Sequence, residues 1–216
     1  MDWSVIWSNR ELYVSGLWAT VLLSIAAIAT GTLLGLLVAA VRTSRIPVLA
    51  QLARGYLEVF RGTPLLIQML FLYFGAAYLG LVGITVFGAA LLALTLYQGA
   101  YIAEIFRAGI EAVPRGQWEA ARVLGLPRIQ TFFSVVLPQT RAIVLPPLVG
   151  QYLSLIKDTS IAVVIGYVEL VRQGQAVIDR VGAPGTSYLA VAVLYFVICY
   201  PLSLLVRHME RKALTA

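Results

Sequence analysis

Charge vanishes from this chain in long stretches. Between Glu11 and Arg42 no Asp, Glu, Lys or Arg occurs for 30 residues, and about 20 apolar residues suffice to cross a bilayer as a helix. The pattern predicts a first helix over 12–41. Gly31 and Gly35 lie four apart within it, a spacing of small residues that lets another helix approach closely. A second uncharged stretch separates Arg61 from Glu104. At 42 residues it is too long for one span, and Gly75, Gly80 and Gly83 mark a turn inside it, so it divides into helices over 64–79 and 85–108. The preceding segment, 47–62, sets Arg54, Glu58 and Arg61 among Leu52, Tyr56, Leu57, Val59 and Phe60. This is the mixture of a short amphipathic helix lying in the membrane interface. Gly62-Thr63-Pro64 ends that helix, and Pro64 suits the first turn of the next.

A fourth helix is expected over 128–156, opened by Pro127 and kinked or interrupted near Pro138, Pro146 and Pro147. Lys157, Asp158, Thr159 and Ser160 follow it. The region 161–180 is moderately apolar but carries Glu169, Arg172, Asp179 and Arg180; it reads as a shorter interfacial or re-entrant helix. Gly182-Ala183-Pro184-Gly185 is a turn signal, and a last helix is expected over 187–206. The expectation is an all-α membrane protein: one transmembrane domain, residues 1–216, with five core transmembrane helices.

Composition supports the bilayer as solvent. The 216 residues are 60% hydrophobic and 12% charged, with mean hydropathy +0.88; a soluble domain carries about twice that charge fraction. Five spans leave no room for a large soluble domain, so any nucleotide-binding or solute-capturing domain belongs to other chains. A cleaved signal peptide is not expected, because Asp2 and Glu11 flank the first apolar run with only Arg10, and the run is too long. The net charge of +6 is spread between the spans rather than gathered in one stripe, which speaks against nucleic acid. With the N-terminus outside, one side of the membrane carries Arg42, Arg45, Arg54, Arg61, Arg107, Arg115, Arg122, Arg128, Arg207, Arg211 and Lys212, which is 11. The other carries Arg10, Lys157, Arg172 and Arg180, which is 4. Excess positive charge stays cytoplasmic, so the 113–128 segment is placed inside and the C-terminus with it.

Reactive chemistry is sparse. Cys199 and His208 are each alone of their kind; the first reads as a small buried hydrophobe and the second as part of a solvated basic tail. His-Glu-x-x-His and Gly-x-Ser-x-Gly are both missing, so no catalytic or metal-binding set is expected and no cofactor is expected on this chain. An ion-coupled transporter would favour an inverted repeat, and five spans show none. The segment 114–125 is more telling. Pro114 can open a helix and Gly125 can close one in the left-handed cap conformation. Glu119 and Arg122 are three apart and can pair on one face. Trp118 and Leu124 offer apolar contact, and Ala120 and Ala121 keep one side thin. Such a helix suits a groove on a partner; an ordinary solvated loop helix would use the same residues.

Glu119-Ala120-Ala121, Gly125 and Leu137-Pro138 match the signature of ABC importer permeases. Phe60-Arg61-Gly62-Thr63-Pro64-Leu65-Leu66, Ala100-Tyr101-Ile102-Ala103-Glu104, Arg107-Ala108-Gly109-Ile110, Pro114-Arg115-Gly116-Gln117, Leu137-Pro138-Gln139 and Lys157-Asp158-Thr159-Ser160 resemble the polar amino-acid uptake subfamily, which serves His, Arg, Gln, Glu or cystine. The resemblance runs from about Gly16 to the last helix. Gln151, Ile161 and Ala108 depart from it where Asn, Leu and Gly are common. It implies a type I ABC importer permease fold in the bacterial inner membrane. It also implies a second permease subunit, identical or paralogous, two ATPase subunits carrying ATP-Mg, and an extracytoplasmic amino-acid-binding protein. The helix 114–125 would then couple to the ATPase through Trp118, Glu119, Ala120, Ala121, Arg122 and Gly125. A permease for methionine or another small nutrient shares the coupling pattern.

Polar groups near the midplane are costly and by default functional, and broken helices offer terminal dipoles to a zwitterion. Lys157, Asp158, Thr159 and Ser160 are therefore candidate solute contacts, with Asp158 for the ammonium and Thr159, Ser160 and nearby N–H groups for the carboxylate. The competing reading is a helix cap. Glu104 with Tyr101, and Arg61 with Thr63 and Pro64, are expected as structural or gating ties near the cytoplasmic side.

Overall fold

Every regular element among the residues described in the computed structural model is helical. Those residues are 3–42, 46–80 and 83–214, with side chains as far as Arg211; Asp2, Arg45 and the Lys212 side chain lie outside them. Helices α1 (Ser4–Ser8), α2 (Arg10–Arg42), α3 (Pro47–Gly62), α4 (Leu65–Tyr78) and α5 (Val86–Glu111) are followed by the short α6 (Arg115–Val123) and α7 (Arg128–Thr131). A π-turn over Phe132–Val136 leads into α8 (Leu137–Asp158), a 3-10 helix over Thr159–Ile165, α9 (Leu170–Val181) and α10 (Pro184–Leu214).

Four helical stretches are long and apolar enough to cross a bilayer: Arg10–Arg42, Val86–Glu111, Arg128–Ile165 and Pro184–Arg211. A fifth crossing arises only when α3 and α4 are taken together, bent by 107° at their break. The 14 residues of α4 rise about 21 Å at 1.5 Å each, short of a hydrocarbon core of about 30 Å. The bend has a local cause. Thr63 precedes proline and is extended, with φ −120° and ψ 147°, because the proline ring disfavours helical dihedrals one residue back. Thr85 opens α5 by accepting the Gly88 N–H at 3.0 Å, a side-chain N-cap.

The structure differs from the sequence expectation in two places. The interruption of the fourth span lies at the π-turn just before Pro138, while Pro146 and Pro147 sit inside a continuous α8. The region 161–180 is not one helix. It is the end of a 3-10 turn, a left-handed Gly166 with φ +86°, and then α9.

Helix α2 packs along α5 with the same direction, and the small residues decide where. A Cβ on Gly31 would come within 2.9 Å of the Gln98 side chain, and one on Gly35 within 2.6 Å of Ile102. Leu23 and Ala27 of α2, Met69 of α4, Leu94 of α5, Leu155 of α8 and Ala162 form the main buried core. The opposite face of α2 leaves Trp18, Ile25, Leu33 and Leu37 exposed, as expected where lipid is the solvent.

Candidate functional site

The segment singled out in the sequence folds as a capped, isolated helix. Pro114 is the N-cap of α6, at φ −53°. Its other end closes in a Schellman arrangement: Gly125 turns left-handed at φ +75°, its N–H reaches the Arg122 carbonyl at 2.9 Å, and the Leu126 N–H reaches the Ala121 carbonyl at 3.0 Å. Ala121 is buried against the body of the protein, while Ala120 faces outward with Glu119 and Arg122. Gln139 of α8 donates to Gln117 at 3.4 Å. Trp118 is half-buried and lines a cavity of about 220 Å³ with Arg122, Leu126, Arg128 and Thr131. The expected Glu119–Arg122 pair is not formed: among the described residues neither makes an ion pair, and both are exposed. An exposed pair of this kind is worth little, so nothing holds the two side chains together. The expected apolar contact of Leu124 is small: it is 77% exposed beside Val123 at 87%.

At the same end of the bundle, α2, α3 and α5 meet over one carboxylate. Glu104 accepts Arg42 at 2.5 Å and Arg107 Nε at 3.0 Å, with Arg61 at 3.8 Å. Arg107 also pairs with Glu111. Arg61 lies 5.6 Å over the Tyr101 ring. Arg61 thus ties to Glu104 and Tyr101 rather than to Thr63. Tyr101 itself receives the Tyr97 hydroxyl at 3.3 Å. Thr63 belongs to another network, in which Gln68 Nε2 donates to Thr63 Oγ1 at 2.8 Å and to the Phe60 carbonyl at 3.0 Å across the corner at Pro64. Arg42, Arg107 and Gln68 were not among the sequence candidates. Arg42 finds Glu104 only through the packing of α2 on α5, whereas Arg107 lies three and four residues from Glu104 and Glu111 on α5 itself, a spacing that was available in the sequence.

Deeper in the bundle, Gln151 of α8 donates to Gln98 of α5 at 3.0 Å, and Thr32 of α2 meets Tyr152 at 2.8 Å. At the far end, Lys157 is exposed and Asp158 is half-buried, and they form no ion pair. The Thr159 and Ser160 hydroxyls donate to the Ile156 and Lys157 carbonyls, each at 2.7 Å. Both hydroxyls thereby serve the end of α8, and Thr159 is fully buried. Asp158 is left as the group of this tetrad whose carboxylate makes no hydrogen bond among the described residues, with Tyr97 near enough to feel its charge.

Beside it lies a buried acid that sequence reasoning missed. Glu169 caps α9, accepting the Val171 and Arg172 N–H groups at 2.9 Å each and the Tyr195 hydroxyl at 3.0 Å. Thr20 Oγ1 accepts the adjacent Leu170 N–H at 3.2 Å. The cluster therefore joins α2, α9 and α10. Burial pushes the Glu169 carboxyl above its ordinary range, against the pull of those three donors. The available signal was a lone acid just before an amphipathic run, the place of an N-cap.

The chain as a whole is similar to known proteins. The pattern of the family described as binding-protein-dependent transport system inner membrane component matches residues 31–215. The chain is 39% identical over 213 residues to the glutamine transport system permease protein GlnP of Escherichia coli K12, covering 98% of this chain and 97% of that one. It is 37% identical to the L-cystine transport system permease protein TcyB of Bacillus subtilis, covering 91% and 84%. A solved structure described as an amino acid ABC transporter with histidines superposes with TM-score 0.92 at 36% identity, over 98% of this chain and 99% of that chain. The MetNI methionine ABC transporter, inward facing, matches at TM-score 0.74 and 21% identity over 99% of each chain, which is a likeness of fold.

Proposed function

The chain belongs to the inner membrane components of binding-protein-dependent transport systems, and from that membership we propose that it forms one half of the solute pathway of an ATP-driven importer for polar amino acids. The 216 residues make a single transmembrane domain with five crossings, the bent α3–α4 pair among them, the N-terminus outside and the C-terminus in the cytoplasm. A second permease copy or paralogue completes the pathway, two ATPase subunits hydrolyse ATP-Mg below it, and an extracytoplasmic binding protein delivers solute. Relatives named for glutamine and L-cystine support a polar amino acid as solute.

One observation carries the mechanical part of this reading: α6 is opened by Pro114 and closed by the Schellman turn at Gly125, is anchored by Ala121, and presents Glu119, Ala120, Arg122, Val123 and Leu124 outward. A rigid projection of that kind fits a groove on an ATPase. Closure of the ATPase pair on ATP would move α6, and α7 with the π-turn would pass that motion to α8. Asp158, with its unsatisfied carboxylate, is the best candidate for the solute ammonium. Thr159 and Ser160 would hold the end of α8 in place, and Lys157 remains free for the solute carboxylate. Arg61, Thr63, Pro64, Tyr101 and Glu104 would stiffen the inner gate.

The test is affinity capture of the full-length protein in mild detergent, followed by reconstituted uptake of labelled glutamine. An ATPase subunit should copurify with the native chain and be lost when residues 115–123 are scrambled, while Glu119→Lys should cut uptake at least about tenfold, the loss of one charged contact. Copurification that survives scrambling, or full uptake by the Lys variant, would remove α6 from the coupling. Uptake that follows a proton gradient without ATP would replace the importer reading with ion-coupled transport.

A further inference from the structure

The cavity between α6 and α7 is rich in donors and empty of acceptors. Trp118 and Arg122 come to it from α6, Arg128 and Thr131 from α7, and Leu126 from the link between them; its volume is about 220 Å³. Both arginines are exposed, and neither guanidinium makes a hydrogen bond or an ion pair among the described residues. The Trp118 indole N–H has no acceptor there either. The Thr131 hydroxyl is already engaged, donating to the Pro127 carbonyl at 3.1 Å. None of the five lining residues is an acid. Two cations drawn to one cavity repel each other, and an anion seated between them would remove that cost.

The surface around it says what the anion belongs to. Residues 115–131 carry Arg115, Arg122 and Arg128 against Glu119 alone, so a partner of this face is acidic where it meets them. Val123, Leu124 and Ile129 beside the arginines are largely exposed. Apolar side chains next to Arg and Trp are the makings of a protein interface. Arg122 also belongs to the outward face of α6, so cavity and docking face are continuous. We propose that this cavity receives one carboxylate side chain, Asp or Glu, of the ATPase subunit, bridging Arg122 and Arg128. The inference rests on the docking of α6 proposed above and adds the chemistry of the partner: an acidic residue at the edge of the groove that takes α6. Charge-assisted bonds from two guanidinium forks are strong and fix geometry. Because Arg122 is on α6 and Arg128 on α7, the bridge would fasten these two short helices to each other. Motion of the ATPase would then reach α8 without being absorbed at the Gly125 turn.

The experiment measures the affinity of the full-length protein in mild detergent for the ATPase subunit that copurifies with it, once that subunit is identified by mass spectrometry and purified. Arg122→Gln and Arg128→Gln, both at exposed positions, should each weaken binding at least about tenfold, the worth of a charged hydrogen bond. The double variant should lose much less than the product of the two, because both arginines share one partner. Arg115→Gln, on the same helix but outside the cavity, should weaken binding no more than about threefold, as an exposed pair does. The Arg128→Lys variant brings a primary amine to the cavity. A water-soluble carbodiimide should join it to the bound ATPase, and peptide mapping should find the amide on an Asp or Glu. Equal losses in the three Gln variants would overturn the proposal and leave only diffuse attraction of charge. An amide to Glu119 of the same chain would overturn it in favour of an internal pair. Phospholipid released from the Gln variants while their ATPase affinity stays at the wild-type value would assign the cavity to a lipid phosphate. If scrambling residues 115–123 leaves the ATPase bound, the docking itself fails; if scrambling releases it while the Gln variants bind like the wild type, only the carboxylate inference fails.

Discussion

At the scale of single residues, the polar groups that matter are those whose partners come from distant sequence. Glu169 is one. Its carboxyl is raised by burial even though two N–H groups and the Tyr195 hydroxyl lower it. A carboxyl raised in the folded state contributes stability that is complete below its unfolded pKa and is lost as pH rises through the folded value. The thermal midpoint of the purified protein should therefore fall with a detectable slope as pH rises through and above the ordinary carboxylate range. Glu169→Gln keeps an acceptor oxygen for the donors but cannot ionise, and should flatten that slope. A scan of melting temperature against pH for both proteins checks this, and an identical slope in the variant would move the titration to another group. Glu119 contrasts with Glu169: the spacing to Arg122 suggested a pair, but side chains exposed to water gain too little from pairing to be held.

Among the elements, small residues set the geometry. The Gly31–Gly35 pair showed only that some helix approaches α2 closely; the structure identifies it as α5, with Gln98 and Ile102 against the two glycines. Overpacking a tight contact costs about 1–3 kcal/mol. Gly35→Val should accordingly lower the melting temperature by several degrees, since a Cβ there would meet Ile102 Cγ2 at 2.6 Å and the Gly99 carbonyl at 3.0 Å. Gly55→Val in α3, where a Cβ meets nothing within 4 Å, is the control and should melt near the wild type. If the two variants melt alike, the α2–α5 contact is looser than drawn. Hydrophobic pattern located α3 to its boundaries, and Pro114 and Gly125 bracketed α6. It merged the 3-10 turn with α9, because a short apolar run reads alike in either helix and only Gly166 marks the change.

Taken whole, the molecule places Arg42, Glu104 and α6 at one end and Arg10 with the 159–169 turn at the other. The charge bias predicts the cytoplasm for the first end. In a Cys199→Ser background, a membrane-impermeant maleimide should label Ser8→Cys in intact cells, and should label Gln117→Cys only after permeabilisation. The reverse pattern would invert the topology. A fold held by lipid-facing apolar surface and narrow helix contacts has few charges inside it, so the Glu104 cluster and the Glu169 cap stand out as its polar fastenings.

The sequence by itself determined the all-helical class, the bilayer as solvent, the long spans and the capped segment ending at Gly125. Each of these depends on local composition or on a backbone preference of one residue, and such signals survive without knowledge of neighbours. Only the tertiary structure decided which groups meet: Arg61 with Glu104 and Tyr101 rather than Thr63, Gln98 with Gln151, and Glu169 with Tyr195. Those contacts join positions tens of residues apart, and their energy comes from burial and hydrogen-bond satisfaction, which exist only once the helices have packed.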